Sequence, residues 1–115
     1  MAKFINYGAI MRQITRDAIR AFYNREKFTR DNTSVLIKYG DYVELRLHNN
    51  LIAMIKEGSL YITNAGWMST TTKERLNGLS GVSIYQKNYQ WFLNGIAWDG
   101  SLVNVDTWGK DNVAQ

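Results

Sequence analysis

Three groups of side chains could do chemistry. Arg12, Arg16 and Arg20 recur at i, i+4 and i+8. A stretch reading TTTKERLN at 70–77 gathers hydroxyls, cations and an amide, and VSIYQKNYQWFL at 82–93 is rich in aromatics. These are the residue types that meet nucleic acid. Hydroxyls at a helix start (Thr71, Thr72) suit phosphate oxygens. Lys73 and Arg75 suit phosphate or guanine, and Asn77 suits adenine. Tyr85, Tyr89 and Trp91 offer faces on which unpaired bases stack, with Lys87 at the hairpin tip. A short polar helix followed by a hairpin resembles a helix-and-wing reader, although strands rather than a helix precede it. The bland reading stands beside this one: tryptophans such as Trp67, Trp91 and Trp98 are as a class core residues, and a polar helix start is often merely solvated.

Residues for catalysis are scarce. His48 is the only histidine, at a strand end in RLHNN, where a structural role is expected rather than a general base. GLSG at 78–81 is followed by Val82 and so misses the nucleophile-elbow spacing. No glycine-rich phosphate cradle occurs. The absence of cysteine removes disulfides, thiolate chemistry and sulfur-ligated zinc. The expectation is a protein that is not an enzyme, with no cofactor and no metal.

Charge placement sharpens the partner question. The net charge is +4, and residues 1–33 hold seven Lys/Arg against three acids while the remainder balances. An excess confined to the first third points to a polyanion or an acidic partner, against the plainer reading of a solvated helix face.

The elements that must position these groups follow from periodicity. Ile10, Ile14, Ala18, Ala21 and Phe22 share one face of a helix predicted over 8–27. TRDNTS at 29–34 breaks the pattern. Four β-type runs, SVLIKYG, DYVELRLHNN, LIAMIKEG and SLYITNAG, are then separated by Gly-Asp, Asn-Asn and Glu-Gly turns. Thr71 and Glu74 have capping-box spacing for a helix over Thr72–Leu79. VSIYQ, YQWFL, IAW and SLVNV read as a second meander with Lys-Asn, Asn-Gly and Asp-Gly turns. The class predicted is α+β with antiparallel sheets, in a single domain over 1–115 whose ends, 1–7 and 109–115, are flexible. No apolar run reaches the roughly 20 residues a membrane helix needs, and no secretory signal is expected.

FTRDNTSV at 28–35, LHNNLIA at 47–53, NAGW at 64–67, TTKERLN at 71–77 and YQKNYQWFLNG at 85–95 together resemble small proteins encoded by tailed bacteriophages. The likeness runs over about residues 18–100 and contains no catalytic signature. It implies an accessory product made in the host bacterial cytoplasm. Two ligand classes follow: nucleic acid, or a host or anti-phage defence protein that the chain inhibits in the manner of an anti-CRISPR. An exposed sheet edge or aromatic patch could also pair two copies into a homodimer. The spatial expectation is that the arginine stripe and the 71–77 helix share one surface.

Overall fold

The structure, a computed structural model, describes residues 11–40 and 42–110. It is α+β, as the sequence pattern predicts. Helix α1 spans Gln13–Asn24 and buries Thr15, Ala18, Ala21 and Phe22. It ends three residues earlier than periodicity predicts; the predicted start at 8–10 lies outside the described residues. Its end is a Schellman turn, with Arg25 left-handed at φ 57° and Glu26 N–H bonded to the Ala21 carbonyl at 2.9 Å. The apolar stripe runs out at Phe22, so nothing favours another turn.

Six strands form the larger sheet: β1 (Phe28–Arg30), β2 (Thr33–Ile37), β3 (Val43–Leu47), β4 (Asn50–Lys56), β5 (Ser59–Ile62) and β9 (Val103–Asn104), in that spatial order and antiparallel. Helix α2 (Thr70–Leu76) follows β5. A second sheet comprises β6 (Ile84–Lys87), β7 (Gln90–Leu93) and β8 (Ile96–Trp98). Two features differ from the sequence reading. TRDNTS is the tip and flanks of a β1–β2 hairpin rather than a break, because Asp31 accepts a left-handed φ of 52°. The last strand leaves the second meander and covers the edge of β5 instead.

Hairpin turns centre on His48–Asn49, Glu57–Gly58, Asn88–Tyr89 and Asn94–Gly95, all with positive φ. Two positive-φ residues suit the twist of the flanking strands.

Period-two alternation sorts the larger sheet into two faces. Thr33, Val35, Val43, Leu45, Leu47, Ala53, Ile55, Leu60 and Ile62 are buried on one face. Phe22 of α1, Leu76 of α2 and Trp91, Leu93 and Trp98 of the second sheet join that same cluster. Both helices and the second sheet therefore cover one side, and among the described residues no helix or sheet covers the other. No described helix is long and apolar enough to cross a bilayer.

Candidate functional site

Helix α2 is so short that its orientation decides everything about it. Leu76 and Leu79 face the core, which turns Thr72 and Arg75 inward with them. Arg75 is 1% exposed. A buried guanidinium must be paired and hydrogen-bonded to be tolerated, and this one is. Nε donates to Thr33 Oγ1 at 3.0 Å, Nη1 to Thr15 Oγ1 at 2.8 Å and to Glu74 Oε1, and Nη2 reaches Asn32 Oδ1 at 3.4 Å. The Thr15 hydroxyl and the Arg12 backbone N–H in turn donate to Glu74, at 2.5 and 3.1 Å. Arg75 thus joins α1, the β1–β2 hairpin and α2 at one point. Among the described residues no buried side-chain polar atom lacks a partner.

This corrects several sequence expectations. Arg75 faces the interior, where it cannot read guanine. Thr72 is buried, its hydroxyl 2.9 Å from Ser69 Oγ. Ser69, not Thr71, caps α2, accepting from Thr72 N–H at 3.1 Å. Glu74 is drawn away from its own helix to the start of α1, where a carboxylate also complements the helix dipole. Asn77 clamps β6: its Nδ2 donates to the Ile84 carbonyl at 2.9 Å and its Oδ1 accepts from Ile84 N–H at 2.6 Å. Trp91 is fully buried beside Trp98, with Nε1 donating to Gln86 Oε1 at 3.2 Å. Trp67, expected in the core, is 63% exposed.

The other predicted residues remain outside. Arg12 and Arg16 are exposed, and among the described residues neither forms an ion pair. Arg20 is exposed but shares Asp17 at 3.6 Å. Asp17 is held mainly by Arg30 at 2.8 Å, whose hydrogen bond is the chief reason its carboxyl titrates below the ordinary range. Lys73 is half-buried, 3.3 Å from Gln86 Oε1 and 5.9 Å above the Trp91 ring. Tyr85 stacks on Phe92 at 5.0 Å, while Lys87 and Tyr89 stand in solvent at the hairpin tip. Thr71 faces away from Lys73 and lines another groove.

Met11, Lys73, Glu74, Ile84, Tyr85 and their neighbours line a cleft of about 290 Å³. The start of α1, the outer flank of α2 and β6 therefore meet there. On the far flank of α2 a groove of about 520 Å³ lies between His48, Ile52, Asn64, Trp67 and Thr71. The sequence reading missed this groove. Its loop is fixed by Asn64, which is buried and accepts from Gly66 N–H at 2.7 Å, so Trp67 is presented on an ordered turn beside Met68. The Asn-Ala-Gly turn before Trp67 was the available signal. Among the described residues no cluster of three or more metal-ligand types occurs.

No curated protein and no solved structure matches the chain. The sequence model of the Kyanoviridae Gp96 protein matches residues 11–114, nearly the whole length. The chain therefore belongs to the Kyanoviridae Gp96 family of phage proteins.

Proposed function

We propose that this protein is a non-catalytic binder acting in the cytoplasm of the infected host, and that its ligand is the nucleic-acid backbone. The supporting observation is the pairing of charges around α1 and α2. Asp17 is engaged by Arg30 and Glu74 by Arg75, whereas the side chains of Arg12, Arg16 and Lys73 form no ion pair among the described residues. A cationic rim without local compensation attracts a polyanion. Arg75, Asn77 and Trp91 are committed internally, so the contact is to phosphates and is indifferent to sequence. Labelled oligonucleotide titrations at 50 and 200 mM salt test this. Three phosphate contacts should weaken binding roughly 20- to 40-fold over that range, and Arg12→Glu with Arg16→Glu should weaken it at low salt. Absence of binding at low salt rejects the reading.

A protein partner is the second reading, and exposed Trp67 with Met68 beside the larger groove favours it. Interface hot spots are rich in tryptophan set against a pocket. Capture of a host protein that survives nuclease treatment and fails with Trp67→Ala would support this reading over the first.

A further inference from the structure

Among the described residues no helix or sheet lies over the second face of the six-stranded sheet, a feature that the cleft leaves unexplained. Cross-strand register places Leu36, Glu44, Met54 and Tyr61 in one row across that face, with Arg46 beside Ser34 and Leu51 in the next. Lys38 and Tyr42 pair beyond the end of the β2–β3 ladder, and Lys56 lies over the Tyr42 ring at 5.7 Å. Glu44, the acid that the described strands place on this face, is 5% exposed. It accepts from Tyr42 Oη at 2.7 Å and from Arg46 Nη2 at 2.7 Å, so its charge is already answered. What the face presents outward is Lys38, Lys56, the outer side of Arg46 and two half-exposed tyrosine rings.

We propose that this face binds a single nucleic-acid strand. The cations match a phosphate chain in sign. Tyr61 offers an apolar plane that an unpaired base stacks on, and the antiparallel sheet holds it on a rigid platform. A duplex hides its base faces and gains only the charge. The surface is separate from the cleft beside α2 and goes beyond the backbone contact proposed there.

The test uses the full chain with three fluorescent probes at 50 mM salt: 12-nucleotide oligo(dT), 12-nucleotide oligo(U) and a 12-base-pair duplex. At least one single strand should bind about tenfold tighter than the duplex. Lys38→Glu with Lys56→Glu should lower that affinity at least tenfold, and Tyr61→Ala about fivefold or more, the loss expected for one stacked base. Arg12→Glu with Arg16→Glu removes only phosphate contacts, so it should weaken single strand and duplex alike and leave the preference between them within twofold. Thermal melting of each variant confirms that it folds. Unchanged affinity in folded sheet variants, or no preference for single strands, overturns the proposal. Loss only in the Arg12/Arg16 variant also overturns it and leaves the backbone reading standing. Loss only in the sheet variants supports it and removes the cleft.

Discussion

Arg75 shows how a residue type and its placement can point in opposite directions. Lys, Glu, Arg and Asn within TTTKERLN read as a solvent-facing helix. The phase of the helix says otherwise: Leu76 and Leu79 are its apolar anchors, and Thr72 and Arg75 lie four residues before each. Positions four apart share a face, so the inward turn of Arg75 was legible in the spacing. Its acceptors were not, because Thr15, Asn32 and Thr33 come from distant stretches of the chain. Removing one partner of a buried ion pair leaves the other uncompensated and costs about 3–5 kcal/mol. Glu74 is 21% exposed and keeps its bonds from Thr15 and the Arg12 N–H. Arg75→Leu should therefore lose less than that in urea unfolding, about 1–3 kcal/mol, for the buried acceptors left without their donor. Arg75→Lys should be destabilised as well, since an ammonium lacks the planar fork that reaches Thr33, Thr15 and Asn32 together. Near-native stability in Arg75→Leu would mean that the hub is not what holds α1 to α2.

Among the elements, the joint between α2 and β6 was the least readable. Turn dipeptides announced the Glu57–Gly58 and Asn94–Gly95 hairpins. They fell one residue late at His48–Asn49 and one early at Asn88–Tyr89, and did not announce β1–β2, while alternation announced β2 to β5. No local pattern announces that a side-chain amide will pair with a strand. Asn77 does this, offering Ile84 the donor and acceptor that a neighbouring peptide would supply. One residue on, α1 and the end of α2 come so close that a Cβ on Gly78 would lie 3.0 Å from Thr15 Cγ2 and 3.1 Å from Ile19 Cγ1. Helix contact and strand clamp thus sit on consecutive residues. Asn77→Asp keeps an acceptor but loses the donor, setting a carboxylate oxygen against the Ile84 carbonyl. It should cost about 1–3 kcal/mol, the range for a hydrogen-bonding group left unsatisfied, with amide exchange at Ile84 rising first. If Asn77→Asp exchanges and unfolds like the parent, the clamp is incidental.

At the scale of the whole molecule, the pairing of charges that leaves a cationic exterior also sets the pH range of stability. Glu44 is opposed by burial, but hydrogen bonds from Tyr42 and Arg46 outweigh that and hold its carboxyl below the ordinary value. Asp17 is lowered chiefly by Arg30, and Asp99 by the Ser101 backbone N–H. A depressed folded pKa contributes stability that is present above the unfolded value and lost as pH falls through the folded one. Stability should therefore decline below about pH 4, where free carboxylates begin to protonate. Tyr42 and Tyr23 act at the other end. Tyr42 is raised mainly by its hydrogen bond to Glu44, and Tyr23 mainly by burial. A raised pKa gives stability that is complete below the unfolded value, about 10, and fades as pH climbs through the folded one. A plateau between those limits is expected, read as urea midpoints at constant m-value. Glu44 links the two limbs, since it is both the depressed acid and the acceptor that raises Tyr42. Glu44→Gln should soften the acid decline and, by letting Tyr42 fall back toward its unfolded value, soften the alkaline one as well. A variant that shifts neither limb, or only one, would break the link between Tyr42 and Glu44 on which the open sheet face is built.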